Sequence, residues 1–559
     1  MSQRKKDKYL PPEDALWLLP LGGSGEIGMN LNLYGTAGKW LMVDCGIMFP
    51  DETTPGIEVI TPDISFLAER YKDLVGIVVT HAHEDHLGAI ERLWHSLRCP
   101  IYAVPFAAAV LRAKFLQARL EEEPTLHEIP CGGSFEAGPF SVEMVGVTHS
   151  VPESSMIAIK TAHGTVIHTG DWKLDEDPIV GKLTDETRLR ELGDEGVLAV
   201  VGDSTGALNA QAARSEKDVQ KSLKELFKNY DQRIIVTCFA SNIARMKSIA
   251  ASARDNGRYV SLVGRSLWRN AEIAEGLGYL PEFNDFLSEH EAMQAPRDKI
   301  VMICTGCQGE SRAAMARIAV FDHPVVHFDA GDVVIYSARE IPGNEKAIAR
   351  VQNLLIKQRV DVLTSDHALV HASGHGGQPE LRQLYKWVHP HLVVPVHGEP
   401  RHQVAHERLA HDEGIENVMV PANGDLMRLG PGIHEKITEI PAGRWGLDGR
   451  HLRPLDQQVA KHRRKMNFSG VVVLTLVLDK RGMAAAEPQV TLLGIDDNKA
   501  LVSLREELSA VLLDEIERMP RAILLDDDAM RGAVTKITRR HLREAQGKKQ
   551  IVEVHLVRV

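Results

Sequence analysis

The run His81-Ala82-His83-Glu84-Asp85-His86 sets four ligand-type side chains, His81, His83, Asp85 and His86, within six positions. It directly follows an apolar run, Leu74-Val75-Gly76-Ile77-Val78-Val79-Thr80, that reads as a strand. Alternation along a strand points His81, His83 and Asp85 the same way, and the turn after it swings His86 toward a second metal. A solvated histidine-rich loop would not need the apolar strand, so the pattern reads as a metal site at a sheet edge. More ligand types stand at strand ends downstream. His149 ends Val145-Gly146-Val147-Thr148, Asp171 closes His168-Thr169-Gly170-Asp171, and His397 follows Leu392-Val393-Val394-Pro395-Val396. Any one alone reads equally as a core or loop residue. Together they fill two shells: His81, His83 and His149 for one ion, Asp85, His86 and His397 for the other, with Asp171 bridging. Imidazole and carboxylate ligands suit Zn²⁺ first, and also Mn²⁺ or Mg²⁺, so two divalent ions per subunit are expected. Such a pair lowers the pKa of a bridging water and clamps the attacking and leaving oxygens of a phosphodiester.

The elements that must position these residues change style along the chain. From residue 14 to about 207, short apolar strands alternate with glycine turns and few helices are expected. Gly22-Gly23-Ser24-Gly25-Glu26-Ile27-Gly28 looks like a dinucleotide fingerprint, but no long helix and distal acid follow it, so it reads as a tight turn. From 209 to 357, helix and strand alternate as in a parallel sheet: 216–229, 233–238, 241–256, 259–263. Strand-rich, histidine-rich sequence then returns, with strands expected at 360–364, 371–375 and 392–397. The expected division is 1–208 and 358–448 as two parts of one domain, 209–357 inserted between them, 449–466 as a basic linker and 467–559 as a small α/β domain.

Composition sets the outer bounds. At 559 residues the chain exceeds one core, and 44% apolar with 25% charged residues is ordinary globular composition. The charged start (Arg4, Lys5, Lys6, Lys8) and an apolar patch broken at Pro20 argue against a signal peptide. The longest apolar run, 471–478, is far short of the ~20 residues of a membrane span, so no membrane partner is expected. Six scattered cysteines suit a reducing cytoplasm, and Cys304-Thr305-Gly306-Cys307 reads as structural because no second pair lies nearby. A net charge of −11 excludes an overall positive coat but not a local basic groove for nucleic acid.

The strings HxHxDH, His149 and Asp171, with Asp44 in Val43-Asp44-Cys45-Gly46, resemble the metallo-β-lactamase fold. The resemblance implies an αββα sandwich with metals at one sheet edge. The inserted block, with Asp203, His375 and His397 matching motifs A, B and C, resembles its β-CASP branch, which acts on nucleic acids. Histidine at motif C is typical of RNA-processing members. Leu21 to Gly28, Phe239-Ala240-Ser241-Asn242, Ile341-Pro342-Gly343-Asn344-Glu345, His371 to Gly376 and Pro395 to Glu399 narrow the resemblance to the bacterial ribonuclease J family. It covers residues 14–450 strongly and the C-terminal unit by position and size. Ser337-Ala338-Arg339-Glu340 departs from it, where members often carry a serine-rich run ending in proline.

By this resemblance the chain is expected to hydrolyse RNA from 5′ to 3′, favouring a 5′-monophosphate, with some endonuclease action, in RNA decay and maturation. His375 is the candidate donor of the proton to the leaving oxygen, or else a packed structural histidine; Asp203 is the candidate carboxylate that orients an imidazole, and Asp171 completes the catalytic set. Phe239, Ala240, Ser241, His371, Ala372, Ser373, Gly374 and His375 are candidate substrate contacts. Phe239 could stack on a base or simply pack in the core. Gly374, Gly376 and Gly377 are read as allowing close backbone approach to a phosphate. Arg265 and Arg312 are candidate backbone contacts, and the basic stretches 461–465 and 539–549 are either solvated faces or contacts to RNA or another subunit. A homodimer or homotetramer and partners in an RNA-degrading complex are implied by resemblance. The alternatives are a metallohydrolase of a small substrate, a DNA nuclease of the same branch and a non-catalytic RNA-binding scaffold.

Overall fold

The computed structural model describes residues 9–51, 53–341, 343–455, 458–495 and 499–559. The N-terminal charges Arg4, Lys5, Lys6 and Lys8, and Pro342, lie outside these residues. The chain forms two compact units, one of residues 1–48 and 60–444, the other of 49–59 and 445–559.

In the first unit, among the described residues, two mixed sheets carry helices on their outer faces. One has eight strands, in spatial order Glu435–Glu439, Asp425–Gly430, Leu16–Gly22, Leu31–Thr36, Lys39–Val43, Leu74–Val79, Ile101–Ala103 and Leu126–Glu128. The other has seven: Asn417–Val418, Leu392–Val396, Val197–Asp203, Gly164–His168, Ser155–Thr161, Phe140–Gly146 and Ser134–Ala137. The Tyr34 hydroxyl and His168 Nδ1, one from each sheet, meet at 2.9 Å. Leu16–Gly22 is buried along its whole length, which explains its unbroken apolar character. Helices Glu186–Glu195 and Gln378–Val388 pack Leu189, Leu192, Leu384 and Val388 onto the second sheet. This is the expected αββα sandwich.

The insert leaves and returns between hydrogen-bonded neighbours. Val197–Asp203 and Leu392–Val396 run parallel, in register from Ala199↔Leu392 to Asp203↔Val396. Asp203 and His397 are therefore neighbours across one ladder, although nearly two hundred residues separate them. The insert's own sheet has five parallel strands, in spatial order Tyr259–Val263, Ile300–Cys304, Ile234–Thr237, Val333–Tyr336 and Asp361–Leu363. Its edge strand lies beyond residue 357, so the sheet reaches further than the expected boundary. Cys304 and Cys307 are buried, and burial pushes both thiols up.

A buried pair ties the insert's two connections together. Arg245, on the helix Ile243–Asp255, grips Glu216 with two hydrogen bonds of 2.7 and 3.1 Å. Its remaining nitrogen donates to the Ser337 carbonyl and hydroxyl, both at 2.7 Å, and to the Val370 carbonyl at 3.1 Å.

Three local expectations differ. The strand before the motif stops at Val79, and Glu84–Leu87 is a single helical turn, so strand parity does not aim the ligands. Residues 371–375 are loop rather than strand. The early region is not helix-poor, since Ile90–Leu97, Pro105–Ala118 and Glu186–Glu195 are helices.

In the second unit Val471–Leu478 pairs with Gln489–Leu493 and with Ile551–Arg558. Val472, Leu474, Leu476 and Leu478 pack against Leu508, Leu512 and Ile516 of the helix Lys499–Glu517 and against Met530 and Val534 of Asp527–Gln546. The segment expected as a linker with helical character, 449–466, holds the strand His451–Pro454 and the start of the helix Gln458–Ser469 among its described residues. No helix among the described residues is long and apolar enough to cross a membrane.

Arg245→Met leaves Glu216 a buried, unpaired charge and should destabilise the first unit by about 3–5 kcal/mol. Urea unfolding of the full chain checks this, and a shift under about 1 kcal/mol would show the pair to be dispensable.

Candidate metal centre

Every expected ligand stands just past the end of a strand, at one edge of the sandwich. Val79 leads to His81 and His83, His168 to Asp171, and Val396 to His397. The helical turn Glu84–Leu87 then carries Asp85 and His86, and the His86 ring stands beside that of His81, 4.1 Å between centroids. Glu84 points elsewhere, pairing with Lys114 at 2.8 Å.

Two ligand groups result. The first holds His81, His83, His149 and Asp171; the second holds Asp85, His86, Asp171 and His397. In the first, His83 Nδ1 lies 3.0 Å from His81 Nε2 and 3.1 Å from His149 Nε2. Asp171 divides its oxygens between the groups. Oδ2 faces His81 Nε2 at 3.6 Å and His149 Nε2 at 3.8 Å. Oδ1 faces His86 Nε2 at 3.2 Å and His397 Nε2 at 3.3 Å. Asp85 Oδ2 is 3.6 Å from His86 Nε2. Asp85 thus joins His86 and His397, not His81 and His83 as strand alternation alone implies.

The outward nitrogen of each ligand imidazole has its own partner, which sets the tautomer and turns the other nitrogen inward. His86 Nδ1 donates to Asp44 Oδ2 at 2.7 Å. His81 Nδ1 donates to the Thr80 hydroxyl at 3.0 Å, which donates to Asp44 at 2.9 Å. His149 Nδ1 donates to the Gly374 carbonyl at 2.6 Å, His397 Nδ1 to Asn30 Oδ1 at 2.9 Å, and His83 Nε2 to Ser150 Oγ at 3.3 Å. Asn30 also fixes the second group through its backbone N–H, which donates to the Asp85 carbonyl at 2.9 Å. Gly46 packs so closely that a Cβ there would stand 1.6 Å from the Asp85 carbonyl oxygen. Asp44 and His397 both hold left-handed backbone, at φ 62° and 48°. Strain of this kind persists only where the surroundings enforce it.

Electrostatics and satisfaction both fit cations. Burial holds His81, His83 and His149 below their ordinary values, His83 at about 4, so they stand neutral as ligands must. Burial also opposes charge on Asp171, yet His397, His86 and His375 keep its carboxyl well below the usual range. Asp171 Oδ1 is buried with no hydrogen-bond partner, an acceptor aimed between His86 and His397. In the second group burial pulls His86 and His397 down, but Asp171 above all raises both, so the carboxylate draws positive charge to itself. The two groups each offer oxygen and nitrogen donors to a divalent ion.

A third group with metal-ligand spacing adds Asp203 and His375 to Asp171 and His397. His375 Nδ1 donates to Asp203 Oδ2 at 2.7 Å, and its Nε2 lies 3.9 Å from Asp171 Oδ2. Asp203 is itself fixed, since its Oδ1 accepts the Thr205 N–H at 2.8 Å. Burial pulls His375 down, but Asp203 and then Asp171 raise it to about 9.

The expected substrate residues separate by environment. Phe239, Ala240 and Ser241 form a half-buried turn after Ile234–Thr237, and Asn270 Nδ2 donates to the Ala240 carbonyl at 2.9 Å. Ala372 is buried. The Ser373 hydroxyl serves its own loop, bonded to the His375 carbonyl and N–H. The glycines admit protein rather than leaving open space. A Cβ on Gly374 would stand 2.5 Å from the His149 ring, and one on Gly377 2.2 Å from the Gln211 carbonyl oxygen. His371 Nδ1 is buried without a hydrogen-bond partner, and burial, then Arg245, hold this imidazole well below its ordinary value.

Sequence reasoning missed Asn30, Thr80 and Ser150 as supports of the imidazoles. Nothing in their local pattern marks them. Asp44 was visible only as part of a resemblance, although its place after an apolar strand is the same signal that marks the ligands.

Comparison with known proteins follows the same layout. A model described as "Beta-lactamase superfamily domain" matches residues 39–188. "Ribonuclease J, beta-CASP domain" matches 231–355, "Zn-dependent metallo-hydrolase RNA specificity domain" 359–421, and "Ribonuclease J C-terminal domain" 458–559. A Sinorhizobium meliloti protein named Ribonuclease J is 42% identical, over 100% of both chains. One of the same name from Mycolicibacterium smegmatis is 38% identical over 89% of this chain and 90% of its own. A crystal structure of an Enterococcus faecalis protein of unknown function shares the fold at TM-score 0.51 and 14% identity, over 74% of this chain and 100% of that one.

Asp44→Asn should weaken metal retention about 10–100-fold by loosening His86 and Thr80. Competition with a chelator, followed by elemental analysis, checks this. Unchanged retention would remove Asp44 from the site.

Proposed function

The chain belongs to the ribonuclease J family, and on that footing we propose that it is a metal-dependent ribonuclease that cuts RNA exonucleolytically from 5′ to 3′, preferring a 5′-monophosphate, with a secondary endonuclease activity. The observation that carries the reading is Asp171, whose two oxygens face separate ligand groups while His375 stands 3.9 Å from one of them. Two bound divalent ions, Zn²⁺ first, would activate water and neutralise the scissile phosphate.

The protein's side chains supply the rest. His81, His83 and His149 would hold one ion, and Asp85, His86 and His397 the other, with Asp171 available to both. His375 presents its Nε2 proton toward the centre, where it can pass to the leaving 3′ oxygen. Asp203 holds that ring by its Nδ1, keeping Nε2 directed at the scissile bond. His371 offers its unpartnered buried Nδ1 to the substrate, and the half-buried Phe239 offers a ring face for stacking on a base. Ser241 joins them, while Ala372, Ser373 and Gly374 shape the loop that carries His375. RNA decay and maturation in the cytoplasm, and assembly as a homodimer or homotetramer, belong to this same proposal and rest on family membership.

RNA bearing a 5′-monophosphate, triphosphate or hydroxyl should be followed in parallel time courses with added Zn²⁺ or Mn²⁺. Mononucleotides released mainly from the monophosphate RNA are expected, whereas internal fragments from all three would make the enzyme an endonuclease. Equal cutting of matched single-stranded DNA would favour the DNA-nuclease reading instead. His81→Ala and Asp85→Ala should abolish hydrolysis with the fold intact by circular dichroism; full activity in either would break the metal assignment. His375→Ala should slow cleavage by about 10²–10⁴-fold, the scale of general acid catalysis, while keeping its metal. Depleted metal in that variant would make His375 a ligand.

A further inference from the structure

The insert's parallel sheet has a topological switch point of its own, the place where such sheets form a crevice. Ile234–Thr237 and Val333–Tyr336 are neighbours, but the chain leaves them in opposite directions. The first connects to Tyr259–Val263 at one edge and the second to Asp361–Leu363 at the other. In open parallel sheets, ligands bind where connections part in this way, outside the carboxyl ends of the strands. Here the parting segments are 238–241 and 337–341.

One wall of the crevice is anchored from beneath. Ser337 is held by Arg245 and donates its hydroxyl hydrogen to the Val370 carbonyl at 2.6 Å. That bond joins the crevice to the loop carrying His371 and His375. The buried Gln308 amide then clamps the next residues, donating to the Arg339 carbonyl at 2.8 Å and accepting the Ile341 N–H at 2.9 Å. The main chain of 337–341 is therefore fixed while the Arg339 side chain is exposed. Among the described residues Arg339 forms no side-chain hydrogen bond or ion pair, and the adjacent Glu340 does not reach it. The guanidinium also acts on both sides of the site. After burial and Arg245 it helps keep His371 neutral, and after burial, Arg401 and the opposing Glu399 it does the same to His402, just beyond His397.

We propose that Arg339 is a substrate-positioning residue that grips one backbone phosphate of the RNA at the insert's switch-point crevice. A guanidinium presented on a fixed main chain, with its donors free, matches the paired oxygens of a phosphodiester. The half-buried Phe239, in the facing segment 238–241, would meet the neighbouring base. This inference rests on the ribonuclease reading and adds to it a specificity-determining contact outside the metal centre.

The test uses the full-length metal-loaded protein and a 5′-monophosphate RNA, with KM and kcat measured at several salt concentrations. Arg339→Gln should raise KM roughly tenfold, the scale of one charge-assisted hydrogen bond, with kcat within about twofold. It should also flatten the plot of log KM against log salt by roughly 0.7, the contribution of one phosphate on a single strand. Arg339→Lys should restore that slope but only part of the affinity, since an ammonium lacks the planar fork. Arg350→Gln, an exposed charge on the helix Glu345–Lys357, serves as the control and should change neither. An Arg339→Gln variant with wild-type KM and slope overturns the inference and leaves the ribonuclease reading standing. A fall in kcat at unchanged KM overturns it too, by moving Arg339 from binding to chemistry. Wild-type protein that cuts no RNA overturns the reading itself, and the inference with it.

Discussion

The carboxylate of Asp171 is the constraint around which the first unit is built. It is buried, ringed by imidazoles, and has one oxygen turned to each ligand group. A buried charge is tolerated only when surrounding groups answer it. Here they follow three strand ends, Val79, Gly146 and Val396, with His375 added from a loop, and bringing those ends to one edge is what the two-sheet sandwich accomplishes. The segment after Asp171 is stitched on both sides. The Lys173 N–H donates to the Thr148 carbonyl, beside His149, and the Thr148 hydroxyl donates back to the Lys173 carbonyl, while the Trp172 carbonyl accepts the Gly376 N–H, beside His375. A shift of Asp171 would therefore disturb both ligand groups and the His375 loop together.

Interrupting a sandwich with a large insert costs little in this arrangement because the interruption falls between paired strands. The ladder from Ala199↔Leu392 to Asp203↔Val396 would close whatever the excursion contained. What the excursion must do is return His375 and His397 in correct relation. Arg245 performs that task by holding Glu216 at the insert's entry and Val370 near its exit. The buried pair acts less as a source of stability than as a register pin, since a misplaced partner would leave a charge unanswered. The chemistry of the sandwich and the architecture of the insert are thereby coupled through one guanidinium.

Strongly periodic segments of the fold were legible in the sequence. Tyr259–Val263 was read residue for residue, and the helix read at 241–256 runs Ile243–Asp255, because apolar periodicity and the capping Asn242 announce them. Short apolar runs misled. Residues 371–375 look extended in isolation, but they form a loop whose bonds go to Asp203, His149 and Trp172 instead of a strand ladder. The glycines there were read as room for a phosphate. They instead make room for His149 and Gln211, because close packing by the protein and close approach by a ligand leave the same mark in a sequence.

The sequence by itself singled out the residues that the fold brings together as two candidate ligand groups, and why is chemical: imidazoles and carboxylates placed just beyond apolar strands have little else to do. Reading them as two shells, with Asp85 beside His86 and His397, also agrees with the grouping in the fold. What it could not give was the means: strand parity alone would turn Asp85 with His81 and His83, and a single helical turn at Glu84–Leu87 sets it otherwise. Nor could it supply Asn30, Thr80, Ser150 or the Gly374 carbonyl, which aim the imidazoles across sequence separations of up to 367 residues. Those contacts depend on which strands lie side by side and how far each loop travels. Both are properties of the packed sandwich, and no local pattern of residues encodes them.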